Sequence, residues 1–325
     1  MKYLKLQTTN PYWNLAIEEY LFRHADDDVF MLWQNEPTVV IGKNQNVYAE
    51  IDMAYIEREN IHISRRITGG GAVYHDLGNL NYTFISVSGS ARSLDFATFT
   101  SPVIEALATL GAEVALSGRN DLEYKGKKFS GNAQYSKNGR VLHHGTLLFD
   151  SDLDALSRVL KVDPEKIEAK AIKSTRGRVT NLKPMISGCG SAWELGDIIL
   201  GYVRERFGAS EMPLPTSSEI QELCLRNSSR EWLYPQHELV AGWTARKKRR
   251  YPFGTVDIHL DMSNDFIRDI RIRGDFFGSS GIEELENRLR GSTFGSLSCT
   301  LEDLDVDRYI YGMSLSELID LIREQ

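Results

Sequence analysis

Three adjacent glycines stand in the run Arg65-Arg66-Ile67-Thr68-Gly69-Gly70-Gly71-Ala72-Val73-Tyr74-His75-Asp76. They follow a segment in which Ile61, Ile63, Arg65 and Ile67 alternate with His62, Ser64 and Arg66, the pattern of a strand. Such a triplet is expensive in chain entropy. It lets a backbone come close to a ligand, with N–H groups that can point at an anion. Arg66 and Thr68 would add a positive charge and a hydroxyl to the same phosphate. The spacing matches neither G-x-G-x-x-G nor G-x-x-x-x-G-K-[ST]. Taken alone, a glycine triplet is more often a tight turn or bulge, so both readings stand.

A second segment, Gly118-Arg119-Asn120-Asp121-Leu122-Glu123, leads to Lys125, Lys127, Lys128 and Ser130-Gly131-Asn132-Ala133. Asp121 is a candidate Mg²⁺ ligand, because that ion takes oxygen donors beside ATP phosphates. Its competing role is a turn or cap carboxylate. Lys127 and Lys128 must point to opposite faces of a strand, so only one can turn inward. In Val141-Leu142-His143-His144-Gly145-Thr146 the two histidines must diverge in the same way. That argues against a shared metal face and for histidines held in a core. Gly145 again permits close approach of a ligand.

The elements that must position these residues follow from periodicity and caps. Asn10-Pro11 starts a helix carrying Trp13, Ile17, Tyr20 and Leu21 at helical spacing. Val29–Trp33 and Thr38–Ile41 are strand-like. A short helix over 52–59, strands over 61–67, 72–74 and 80–87, and a helix over 95–110 stopped by Gly111 come next. Residues 122–150 read as a β-meander with Asn138-Gly139 as its hairpin turn. Helices are predicted over 152–160, 164–171, 191–207 and 217–225. The run Arg246-Lys247-Lys248-Arg249-Arg250 then breaks the pattern. It reads as a solvated linker or as a patch for an acidic partner or phosphates. Beyond it, strands over 256–262 and 267–272 and helices over 282–289 and 314–322 form a small α+β unit. The expected domains are 1–245, a linker at 246–251, and 252–325.

With 42% hydrophobic and 26% charged residues, the composition is that of a globular protein. A net charge of -7 is a poor basis for general nucleic-acid binding. There is no apolar run of the length of a membrane span, and residues 1–10 lack the apolar core of a signal peptide. Cys189, Cys224 and Cys299 are far apart, with no C-x-x-C pair, so neither a zinc site nor a disulfide framework is expected. A reducing cytoplasm fits them best.

Together and in this order, RRITGGGAVYHDLGNLNYTF, GRNDLEYKGKKFSGNAQ, HHGTLLFDSDL and KSTRGRVTNL resemble the motifs of lipoate–protein ligases, the acyl-adenylate branch of the fold shared with biotin–protein ligases. The resemblance covers most of residues 1–245 and extends to an accessory C-terminal domain. The combination is specific where the lone triplet is not.

The resemblance implies an α+β fold, with a mixed β-sheet catalytic domain of the biotin/lipoate ligase type and a small α+β C-terminal domain. That domain is expected to rotate between adenylation and transfer, with the basic run as a hinge. The implied activity is ATP- and Mg²⁺-dependent. Lipoate, or octanoate, is activated as the acyl-adenylate and attached to a lysine of an apo lipoyl domain, of a 2-oxoacid dehydrogenase or a glycine-cleavage carrier. Neither nucleic acid nor a membrane is an expected partner. Carried onto this sequence, the family pattern puts Arg66, Thr68 and Gly71 at the phosphate. Ala72, Val73, Tyr74 and His75 would line the adenylate pocket, and Asn79 would lie by the adenine. Asn120 and Asp121 would stand near the phosphates and Mg²⁺. Lys128 would be the catalytic lysine, acting through its charge, with Ser130 in the substrate-binding set. Gly145 and Thr146 would border the acyl-adenylate, and Trp33 would help wall the acyl tunnel. Phe129 separates Lys128 from Ser130, at a position usually apolar in the family. Thr68 stands where serine is common and keeps the hydroxyl.

The alternative is an ATP-independent lipoyl or octanoyl amidotransferase of the same fold. Some of these use a cysteine. Here Cys189, in Gly188-Cys189-Gly190, has no histidine placed by the sequence to activate it, which favours a small buried cysteine.

Overall fold

The computed structural model describes residues 1–87, 94–161, 175–235 and 242–324. The helix predicted over 164–171, and Lys173 and Ser174 of the last motif, lie outside the described residues. The chain forms two compact units. The first holds Met1–Ile41, Val47–Arg66 and Ala72–Leu233; the second holds Gly42–Asn46, Ile67–Gly71 and Tyr234–Gln325.

The first unit carries strands β1 (Lys2–Lys5), β2 (Val29–Trp33), β3 (Thr38–Ile41), β4 (His62–Arg65), β5 (Val73–His75), β6 (Asn79–Ser86), β7 (Ala115–Ser117), β8 (Asp121–Tyr124), β9 (Lys127–Lys137), β10 (Arg140–Leu148) and β11 (Ser210–Glu211). Eight of them form a sheet in the order β11-β1-β2-β6-β10-β9-β8-β7. The sheet is mixed: β1 runs parallel to β11 and β2, and every pair from β2 to β7 is antiparallel. A smaller sheet places β3 between β4 and β5.

Local chemistry starts and stops the helices. The Asn10 side chain accepts from the N–H groups of Tyr12 and Trp13 at the head of α1 (Pro11–His24). Asp95 caps α2 (Phe96–Ala108), and Ser191 caps α3 (Ala192–Phe207), which Gly208 ends at φ 60°. One face of the large sheet packs Leu32, Leu80, Phe84 and Leu147 against Val103 and Leu107 of α2 and Leu195 and Ile199 of α3. Burying each such side chain stabilises by about 1.5–3 kcal/mol. Helix α1 reaches the opposite face through Glu18, which contacts Thr83 and His144.

The second unit is built on β12 (Ala245–Tyr251), β13 (Gly254–Ser263) and β14 (Phe266–Gly274), all antiparallel. Val256, Ile258, Leu260, Ile270 and Ile272 pack on Leu285 and Leu289 of α4 (Ile282–Leu289) and on Leu318 and Ile322 of α5 (Leu315–Arg323). Strand β12 corrects the expected linker: residues 246–251 are an edge strand. Some of its charges are matched by carboxylates elsewhere in the unit. Arg246 forms two bonds to Asp257, at 2.8 and 2.6 Å, and Arg249 pairs with Glu324 at 2.9 Å. Charge on an exposed edge also discourages pairing with another chain's strand. The boundary between the units falls after Leu233, ahead of residue 245.

Candidate active site

Register assembles one face of the large sheet of the first unit. In antiparallel pairs, directly opposed residues share a face. Trp33 opposes Asn81, which opposes Thr146; Met31 opposes Thr83, which opposes His144, which opposes Ala133. Across this face runs a buried chain of hydrogen bonds. Trp33 Nε1 donates to Thr83 Oγ1 at 3.0 Å, and Thr83 Oγ1 donates to Glu18 Oε1 at 2.6 Å. The same Glu18 oxygen lies 2.9 Å from His144 Nδ1. Sequence reasoning missed Glu18, which sits at 1% exposure. The signal available was weak: one acidic residue in an apolar helical pattern.

His143 turns the other way, as strand alternation requires. Its ring stacks on Phe99 at 5.2 Å between centroids. Among the described residues neither ring nitrogen has a hydrogen-bond partner. Burial, with His144 adding a smaller effect, lowers its pKa to about 3, so the ring is neutral.

At the β8–β9 end of this face, Lys128 Nζ pairs with Asp121 Oδ1 at 2.7 Å. Asp121 opposes Gly131, and a Cβ on Gly131 would stand 3.0 Å from Lys128 Nζ. Lys127 is exposed, so of the two lysines Lys128 is the one turned toward Asp121. Thr146 Oγ1 accepts from Gly131 N at 3.1 Å. Asn120 and Asn132 clasp each other: Asn120 Nδ2 donates to Asn132 O, and Asn132 Nδ2 donates to Asn120 O at 3.0 Å. Asn132 Nδ2 also reaches Ser130 Oγ at 3.3 Å. A Cβ on Gly145 would run into Asn132 Oδ1 and stand 2.7 Å from the Tyr82 ring. The close approach at Gly145 is therefore made by the protein's own side chains, on the face opposite Thr146.

Arg66 and His75 are buried together with Asn79. Burial lowers the Arg66 pKa to about 10, and Glu18 works the other way, so the guanidinium stays charged at neutral pH. It donates to Val40 O at 3.1 Å. Asn35 Nδ2 approaches His75 Nδ1 at 3.1 Å, while Asn35 Oδ1 accepts from Asn14. Nδ1 of His75 is thus the acceptor, and Nε2 carries the hydrogen. Burial, then Arg66 and His144, hold this ring neutral with a pKa of about 3. Its Nε2 has no partner among the described residues. Asn79 Nδ2 donates to Asn81 Oδ1 at 2.9 Å, which leaves Asn79 Oδ1 and Asn81 Nδ2 unpartnered. A buried donor or acceptor left in this way costs about 1–3 kcal/mol, a penalty that a ligand can remove. Tyr74 is buried on β5, with its phenol pushed up by burial, while Ala72 and Val73 are half-buried. Thr68, buried, and Gly71, exposed, belong to the second unit.

Cys189 donates to Ser191 O at 3.2 Å, and burial pushes its thiol up, the reverse of an activated nucleophile. Among the described residues no cluster of three His, Cys, Asp or Glu side chains could hold a metal. A single carboxylate still suits Mg²⁺, which keeps waters and takes its other oxygens from phosphates. Lys128 pairs with Oδ1 of Asp121, and the same carboxylate would be the one to hold such an ion. No helix among the described residues is long and apolar enough to cross a membrane.

Two family models match the chain: the lipoyl protein ligase A/B catalytic domain over residues 10–201 and the bacterial lipoate protein ligase C-terminus over 242–322. Lipoate-protein ligase LplJ of Bacillus subtilis is 38% identical, over 99% of this chain and all of the relative. The solved LipL1 of P. falciparum, in complex with lipoate, superposes with a TM-score of 0.81 over 100% of this chain and 99% of that one, at 22% identity, which speaks for the fold. A lipoate-protein ligase A bound with ATP is 28% identical, with a TM-score of 0.60, over 71% of this chain and 97% of that one. The chain belongs to the lipoate–protein ligase family, enzymes that form an amide.

Proposed function

We propose that this enzyme uses ATP to convert lipoate to lipoyl-AMP and then transfers the lipoyl group to a lysine of an apo lipoyl domain. The observation that carries the reading is the buried Arg66 cation, near Glu18, in the same unit as the Lys128–Asp121 pair. A guanidinium held charged at 5% exposure is suited to an anionic ligand, and a phosphate or carboxylate of the substrates is of that kind. ATP binding by the related ligase A supports the nucleotide.

In the first step a lipoate carboxylate oxygen attacks the α-phosphorus, and pyrophosphate leaves. In the second, the acceptor amine attacks the acyl carbon, AMP leaves and the amine proton is released. Both steps build negative charge on oxygen. Lys128 and Arg66 are proposed to stabilise it. In the second unit, Thr68 offers a hydroxyl and Gly71 a backbone open at its Cβ to a phosphate. Asn120 and Asp121 would hold Mg²⁺, which when bound neutralises phosphate charge. The unpartnered amide atoms of Asn79 and Asn81 offer an acceptor and a donor to the adenine edge. The neutral His75 offers an Nε2–H donor to the adenylate, between Ala72–Tyr74 and Trp33 at the acyl chain. Thr146, bonded to Gly131, would shape the wall around Lys128, with Ser130 and Gly145 supporting the strands from the opposite face through Asn132. A neutral His75 leaves the phosphate charge to Arg66 and Lys128.

The test is mass spectrometry of an apo lipoyl domain incubated with the enzyme, lipoate or octanoate, and Mg-ATP. A lipoyl or octanoyl mass shift that needs ATP, with AMP released, is expected. A shift that appears only from an acylated donor protein without ATP would overturn the reading in favour of an amidotransferase.

A further inference from the structure

The sequence offers three consecutive glycines to one anion, yet the three have different surroundings. All belong to the second unit, with Gly42–Asn46 and the chain from Tyr234 onward. A Cβ on Gly69 would run into the carbonyl oxygen of Phe276 and stand 3.0 Å from Phe277 Cα. Both are backbone atoms, which have no rotamer with which to yield. Gly70 adopts φ 89°, a left-handed conformation that side chains resist. Its N–H donates to Phe276 O at 3.3 Å. On its other side Gly70 meets Gly42, where a Cβ would press on the Gly70 carbonyl, 3.1 Å from the carbon. At Gly71 a Cβ would meet nothing within 4 Å.

We infer that the triplet divides its labour. Gly69 and Gly70 are positioning residues that let the Phe276–Phe277 backbone brace the segment, and only Gly71 has room at its Cβ for a ligand's approach. Two further backbone bonds complete the brace. Gly274 N donates to Asn44 O at 2.9 Å, and Lys43 N donates to Thr68 O at 2.9 Å. The second unit thereby fixes the conformation of a segment that has almost no side chains of its own to fix it. The consequence for nucleotide binding rests on the ligase reading; the brace itself does not.

The test is hydrogen exchange on the full chain without ligand, for wild type, Gly69→Ala, Gly42→Ala and Gly71→Ala. ATP titration calorimetry is run on the same preparations. Gly69→Ala and Gly42→Ala are expected to speed exchange over residues 67–71 and, for Gly69→Ala, over 274–277. Strands β9 and β10 should stay protected in both, and ATP binding should weaken roughly tenfold. Gly71→Ala should leave exchange over 274–277 at the wild-type rate. Wild-type exchange at 67–71 and 274–277 in Gly69→Ala would overturn the inference, as would equal loosening of 274–277 by Gly71→Ala. Faster exchange with unchanged ATP affinity would uphold the brace and sink the nucleotide reading of the segment.

Discussion

Replacing Lys128 by alanine separates chemistry from stability, because the structure gives the two effects different sizes. In the fold, Lys128 contributes its pair with Asp121, whose side chains are 35% and 31% exposed. A pair so accessible to solvent is worth about 0.2–1 kcal/mol. The backbone role of Lys128, accepting from Thr180 N at 2.9 Å, survives the substitution. For a unit of this size, 1 kcal/mol moves Tm by about 2–4 °C, which bounds the expected loss. In the chemistry, a fixed cation facing developing oxyanion charge is worth far more. Removing one such donor costs about 10²–10³ in rate, or roughly 2.7–4 kcal/mol. The assay is single-turnover formation of lipoyl-AMP at saturating ATP and lipoate, beside thermal unfolding of the same sample. Asp121→Ala serves as the stability control, since it removes the same pair. A Lys128→Ala enzyme that makes lipoyl-AMP at the wild-type rate would refute the role. So would a Tm loss several times that of Asp121→Ala.

Glu18→Ala strips the acceptor from Thr83 and His144 at a buried position, so the urea midpoint should fall by the equivalent of roughly 1–3 kcal/mol; an unchanged midpoint would show the network to be dispensable. His143 stays neutral in the fold, with its pKa lowered to about 3 from 6.5, while the unfolded chain takes up a proton as pH falls below 6.5. Its contribution is therefore lost as pH drops from 6.5 toward 3, at up to about 1.4 kcal/mol per pH unit, and His143→Gln should flatten the pH dependence of urea unfolding. Parallel profiles for variant and wild type would exclude that. Cys189→Ser should transfer lipoyl at the wild-type rate in the mass assay, because the thiol is held up by burial and bonded to Ser191 O; an inactive variant would point to the thiol chemistry of an amidotransferase.

Much of the scaffold is written in local chemistry. Asn10, Asp95, Ser191 and Ser314 announce their helices because a cap needs only the next few N–H groups. Asn138 and Gly139 announce a hairpin because both take positive φ, 54° and 75°. Strand alternation separates His143 from His144, although it says nothing of which faces the core. What depends on distant partners was hidden. Five consecutive basic residues carry no apolar alternation, and β12 is legible only once Asp257 and Glu324 are in place. Glu18 and Glu19 look like solvent-facing helix residues, yet both are buried, the second against Arg226. Among the site residues, alternation showed that Lys127 and Lys128 diverge; the choice of Lys128 came from the resemblance to ligases.

The brace on the glycine segment also sets an order of events during synthesis. Residues 67–71 leave the ribosome roughly two hundred residues before Phe276 and Phe277. At about 5–20 residues per second, that interval is on the order of 10–40 s. Throughout it the nascent chain can pair β3 with β4 and β5, while the glycines between those strands have no backbone to rest on. A segment made early is therefore among the last to settle, and the nascent enzyme gains its braced glycine segment only as translation nears its end.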